Sequence, residues 1–310
     1  MDLKAMLLAS RRAAISLYLA AIVPGLAVSS ASAQQSDTAQ AQRIAREKAV
    51  EQILAAEVPL GSDAWRAQKL AQSHRRHEMV KIPGGSRTLQ AFVVYPDTRD
   101  KVPTVLMMPE DQGLNNWARD MADQIAAMGY IVIVPDVFSG YGPSGGGRDS
   151  FPDTKAAMMV LPAVMKEEQS LIADQNAWAD YGRKLAQSNG KLAIVGFAWG
   201  GGRAFWFATQ RKDLTAAFIF YDWSPPAQAL AGVTAPVYGF YAEDDPRVTK
   251  TLEATKAAMA AAGKKYEQVI YPGSQHMFVR LGEEPGNSNA ANVEARSQAL
   301  ARLQALLKGM

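Results

Sequence analysis

The 310-residue chain has no cysteine, only three histidines and no run of more than two adjacent Lys or Arg residues. Without cysteine there can be no disulfide, no thiolate metal site and no thiol nucleophile. The formal net charge of +3, with no basic block, leaves no electrostatic footprint for nucleic acid or an anionic membrane. No repeat of solenoid length is present. Metal ligation has little to draw on: His74 and His77 lie three apart in Ser-His-Arg-Arg-His-Glu, with no third ligand nearby, and read as exposed surface. No cofactor motif is present either. The Gly-rich stretch 139–147 is not followed by Gly-Lys-Ser/Thr, so it is not a phosphate-binding loop; its polarity fits a flexible connector, and its place after a strand end fits a ligand-facing loop.

What is there begins with an address. Lys4, Arg11 and Arg12 precede a largely apolar run over 13–28, and Ala31-Ser32-Ala33 forms a small-residue cleavage pattern before Gln34. This is the order of a secretory signal peptide. A membrane anchor fits less well, because Pro24 and Gly25 interrupt the run short of the roughly 20 apolar residues a spanning helix needs. Ser10-Arg11-Arg12 resembles a twin-arginine start only faintly, so the export route stays open. The sequence predicts a signal over 1–33, a helical extension over 34–74 with helices near 39–56 and 63–72, and a domain over 75–310. Loss of the signal removes three basic groups and one acidic group, lowering the net charge to +1 in a periplasmic or secreted protein that no longer meets a membrane.

From residue 79 onward, short β-rich apolar runs alternate with helical stretches. Strands are expected at 79–82, 89–95, 102–108, 130–134, 192–195, 216–221, 237–241 and 266–271. Helices are expected at 115–128, 162–187, 202–209, 250–262 and 290–307. Alternation of this kind predicts an α/β fold with a mostly parallel sheet flanked by helices, opened by a hairpin.

One turn carries most of the functional signal. Residues 191–205 run from a buried strand through Gly196-Phe-Ala-Trp-Gly-Gly-Gly into a helix. The strand-to-helix turn of an α/β-hydrolase has the form Gly-x-nucleophile-x-Gly. Gly196 and Gly200 fill its two glycine positions, and Ala198 stands where the nucleophile belongs. In such enzymes the acid and then the histidine follow in loops after later strands. Asp245 and His276 fall in those two loops, as candidate orienting carboxylate and general base.

Five segments taken together resemble the dienelactone hydrolase family. They are Val105-Leu-Met-Met-Pro-Glu-Asp-Gln-Gly-Leu-Asn, Gly129-Tyr-Ile-Val-Ile-Val-Pro-Asp-Val-Phe, Gly196-Phe-Ala-Trp-Gly-Gly-Gly, Gly239-Phe-Tyr-Ala-Glu-Asp-Asp-Pro-Arg-Val and Tyr271-Pro-Gly-Ser-Gln-His-Met-Phe. The resemblance implies an eight-stranded α/β-hydrolase domain that cleaves a small-molecule ester or lactone through a Cys-His-Asp triad, with no cofactor or metal. It also implies roles for single residues. Asp245 and His276 match the acid and the base, and Glu110 matches the glutamate that pairs with the resting thiol. The main-chain N–H groups of Trp199 and Asp111 match the oxyanion hole, and Arg280 matches an arginine that holds a substrate carboxylate.

Three positions depart from the family. Ala198 replaces the nucleophile, Gly140 stands where a second arginine is expected, and Met277 replaces a polar residue beside the histidine. An alanine at 198 fits a deliberate knockout, a natural pseudoenzyme that binds a small carboxylate or lactone, or a protein with residual hydrolysis by a His276-activated water. A triad that has lost its nucleophile keeps only ~10³–10⁴-fold acceleration over water. Thr209, Ser224 and Ser274 lack an elbow of their own and are poor replacements, and no carboxylate at the elbow supports halide or epoxide chemistry.

Overall fold

A computed structural model describes residues 63–166 and 168–309, so the signal and most of the extension predicted upstream lie outside the described residues. Helix α1 (Ala64–Ala71) forms where the sequence expects one. Lys69 bonds Asp120 (3.0 Å) and Glu283 (2.7 Å), and Arg75 bonds Asp123 (2.6 Å). Lys69 thereby ties helix α1 to Asp120 and Glu283 downstream.

The eight expected strands all form, as β1 (His77–Gly84), β2 (Arg87–Val94), β3 (Val102–Met108), β4 (Ile131–Asp136), β5 (Ser188–Phe197), β6 (Ala216–Phe220), β7 (Val237–Asp244) and β8 (Tyr266–Gln275). They make one sheet in the order β1-β2-β4-β3-β5-β6-β7-β8. β1 and β2 pair as a hairpin from His77↔Val94 to Gly84↔Arg87, turning through Gly85 at φ +59°. β2 runs antiparallel to β4, and every later pair is parallel. This is the sheet of an α/β-hydrolase.

The central strands read as unbroken apolar runs because both of their faces are covered. Val105 and Met107 enter one core with Trp117, Met121 and Ile125 of α2 (Asn116–Ala126), and with Ala299, Leu303 and Leu307 from the C-terminal helix Ala290–Lys308. Leu106 and Met108 point the other way, to Leu171 and Trp178 in helix Glu168–Lys184 and to Phe205 and Phe207 in helix Trp199–Gln210. Among the described residues no helix is long and apolar enough to cross a membrane.

The connector over 139–147 is more ordered than its composition suggests. A short 3-10 turn, Pro143–Gly145, sits inside it, and the N–H groups of Gly140 and Gly142 both donate to Gly146 O at 3.0 Å. Buried Asp136 anchors its two ends by accepting from Phe138 N (3.1 Å) and Arg148 N (2.7 Å). Burial raises the Asp136 carboxyl to about 6, with those two N–H groups pulling against it.

Candidate active site

The side chains singled out from the sequence collect at the C-terminal ends of the parallel strands, where ligand sites of open α/β sheets form. Ala198 follows β5 at φ 47°, ψ −125°, a conformation that a residue with a Cβ rarely adopts. Its N–H donates to Phe220 O at 3.1 Å, and its carbonyl accepts from Gly201 at 2.6 Å. A Cβ on Gly196 would run into the main chain of Gly200, and one on Gly200 into the carbonyl oxygens of Pro109 and Met108. The two glycines are therefore steric requirements of the turn, which has the strained form of a nucleophile elbow with a methyl group at its tip.

His276, after β8, and Asp245, after β7, are brought together: Nδ1 lies 2.6 Å from Asp245 Oδ2. Burial pushes the Asp245 carboxyl up, but its bonds to His276 and Arg247 win and hold it below the usual range. An ionised carboxylate only accepts, so Nδ1 carries the shared proton and Nε2 is left as the basic nitrogen. Met277 next to it is in the left-handed region at φ 64°.

Glu110, at the start of the loop that follows β3, is 1% exposed. Burial raises its carboxyl to about 7, against the pull of Arg280. Two groups reach it: Arg280 Nη1 at 3.4 Å from Oε2, and the Tyr221 hydroxyl, which donates to Oε1 at 3.5 Å. Tyr221, which sequence reasoning passed over, follows β6 at φ 43° and sets its ring edge-on to His276 at 5.3 Å. It thus touches both Glu110 and the imidazole. Only its place at the end of a buried strand signalled it beforehand.

The expected oxyanion donors differ in state. Trp199 is the first residue of its helix, so its N–H has no acceptor within that helix. Beside the other expected donor, burial raises the Asp111 carboxyl while His276 and Arg280 draw it down.

Arg280, expected to meet a substrate carboxylate, is 4% exposed and engaged by internal partners. These are Gln112 (3.0 Å), Glu110 (3.4 Å), Glu284 (3.5 Å) and Asp63 (3.8 Å). A ligand would have to share it with them. It borders a polar cleft of 330 Å³ together with Gln112, Asn115, Arg119, Arg148 and Thr154. Arg148, unnoticed in the sequence, spans Gln112 O (3.1 Å) and Thr154 Oγ1 (2.7 Å) there.

The alternative nucleophiles are occupied elsewhere. Thr209 Oγ1 donates to Trp206 O, Ser274 Oγ to Tyr271 O, and Ser224 Oγ accepts from Thr255. His74 and His77 form no helical pair, since His77 opens β1 and the exposed His74 lies against Asp97 at 3.3 Å.

Comparison with known proteins agrees with this fold. A model of the Dienelactone hydrolase family matches residues 89–309. A Salmonella typhi protein named "Putative carboxymethylenebutenolidase" is 27% identical over 212 residues, 64% of this chain and 77% of its own length. Among solved structures, a dienelactone hydrolase-like promiscuous phosphotriesterase from metagenomic libraries superposes with TM-score 0.65 at 18% identity, covering 76% of this chain and 99% of its own. A Pyrobaculum calidifontis esterase does so with TM-score 0.57 at 18% identity, covering 87% and 97%.

Proposed function

The chain belongs to the dienelactone hydrolase family, whose membership supports a hydrolase-type function, and from this premise we propose that its site is built for cleaving a small ester or lactone but is impaired by Ala198. The observation that carries this reading is a strained Gly-x-Ala-x-Gly elbow kept alongside an intact His276–Asp245 pair at 2.6 Å. With a thiol at 198, the sulfur would attack the substrate carbonyl and His276 Nε2 would take up the proton. The Trp199 N–H would then stabilise the oxyanion, and His276 would return the proton to the leaving oxygen. Hydrolysis of the acyl-enzyme by water would repeat the sequence. A methyl group can do none of this, so turnover here is limited to water activated by His276.

The test is hydrolysis of p-nitrophenyl acetate by this chain and by Ala198→Cys. Restoring the thiol is expected to raise kcat/KM by at least ~10²-fold, because losing a triad member costs more than that. A smaller gain overturns the reading of an otherwise complete triad.

The second reading is a binding protein for a small carboxylate or lactone. Its support is the cleft beside the site, where the side chain of half-buried Arg148 hydrogen-bonds two neutral oxygens, Gln112 O and Thr154 Oγ1. Saturable binding of such ligands by calorimetry, with no turnover in either protein, would favour it.

A further inference from the structure

Asp245 stands immediately before the short helix Pro246–Thr249, a place where an aspartate ordinarily caps the helix with its side chain. Here the side chain makes no cap bond, and only the Asp245 carbonyl serves the helix, accepting from Val248 and Thr249. The carboxylate is shared instead between His276 and Arg247. Arg247 Nε lies 3.2 Å from Oδ1, and its Nη2 lies 3.3 Å from Oδ2, the oxygen that also meets His276 Nδ1. The guanidinium therefore spans both oxygens of a side chain that is only 2% exposed. Arg247 is held in turn by Trp223, whose Nε1 donates to the Arg247 carbonyl at 2.9 Å and whose ring centroid lies 5.5 Å from the guanidinium carbon.

We propose that Arg247, braced by Trp223, is a positioning residue for the His276–Asp245 pair: it fixes the carboxylate so that Oδ2 faces Nδ1, and it holds part of that negative charge away from the imidazole. The catalytic meaning of this role rests on the hydrolase reading, whereas the contact itself does not. A lone carboxylate beside Nδ1 favours imidazolium. A cation on the same carboxylate opposes it, both by sharing the charge and by direct repulsion. The other groups facing the imidazole are Glu110 and Asp111 from the β3 loop and Tyr221 after β6, with Arg280 behind Glu110. The partners of Arg247 are instead Asp245 and Trp223.

The experiment is an NMR titration of the histidine side chains in this chain, R247Q, R247K and W223F, with H276N identifying the His276 resonance. R247Q is expected to raise the His276 midpoint, because the carboxylate then faces the imidazole with no cation to oppose it. His74 and His77 should stay in place as controls. R247K should return the midpoint toward that of the parent but move the Nδ1 proton resonance, because an ammonium cannot bridge both carboxylate oxygens. W223F should give a smaller rise in the same direction. An unchanged midpoint in R247Q overturns the proposal; if that variant does not fold, unchanged spectra in both R247K and W223F do the same. In an Ala198→Cys background, the acid limb of the esterase pH profile should follow the NMR midpoint. A shifted midpoint with an inactive Ala198→Cys protein removes the hydrolase reading and leaves the role of Arg247. An active Ala198→Cys protein with an unshifted midpoint does the reverse.

Discussion

Ala198 carries a backbone conformation that costs of order 1–3 kcal/mol and that an alanine has no use for. The strain is imposed from outside: the glycines on either side let the turn press against β3 and its own helix, and the adjoining strand holds Ala198 N–H through Phe220 O. Replacing the side chain thus leaves the geometry standing. Glu110 shows the opposite dependence, since its chemistry is set by its surroundings. Burial lifts its carboxyl to about 7, from 4.5 in the unfolded chain. The folded protein therefore holds this proton more tightly, and the associated stability is full below about pH 4.5 and lost as pH rises toward 7. Against Glu110→Gln, which cannot titrate, the parent should lose roughly 3 kcal/mol across that interval, the product of the shift and about 1.4 kcal/mol per unit. Melting temperatures of the two proteins from pH 4 to 8 check it: their difference should change in the variant's favour with rising pH and level off above 7.

Among the elements, α1 ties the site to chain upstream of the family match. Arg66, on α1 and fully buried, bonds Asp63 at 2.8 Å and Glu284 at 2.9 Å, and both carboxylates also lie within 4 Å of Arg280. Two arginines and two carboxylates thus form one network whose far end touches Glu110. Arg66→Met keeps the length of the side chain and removes its charge. It should destabilise by about 3 kcal/mol, the low end for breaking a buried pair, because Asp63 and Glu284 keep some contact with solvent. A lower urea midpoint at unchanged m-value would register this. The loop over 139–147 teaches a related lesson: its order comes from Asp136, which closes both of its ends, and no residue within the loop announces that.

At the scale of the whole molecule, the sequence makes an export prediction that can be read directly. Protein recovered from the periplasm or medium should begin at Gln34, as mass spectrometry of the intact chain would show, and an N-terminus at Met1 in a cytoplasmic fraction would oppose it. What the sequence determined by itself was the list of parts. Inner strands buried on both faces must be continuous apolar runs, the largely exposed edge strands β1 and β8 kept short apolar runs of their own, and a triad in fixed chain order placed Ala198, Asp245 and His276 at strand ends before any contact was known. The tertiary structure alone decided how those parts act on one another. Arg280 is already occupied by four internal partners, Tyr221 reaches both Glu110 and His276, and Arg247 shares the acid of the triad. The contacts of Tyr221 with Glu110 and His276, and of Arg280 with Glu110 and Gln112, join loops far apart in sequence, whereas Arg247 and Asp245 are close neighbours that only the fold aims at the same imidazole. Burial and neighbouring charge then fix their protonation, and no local pattern of residues encodes either quantity.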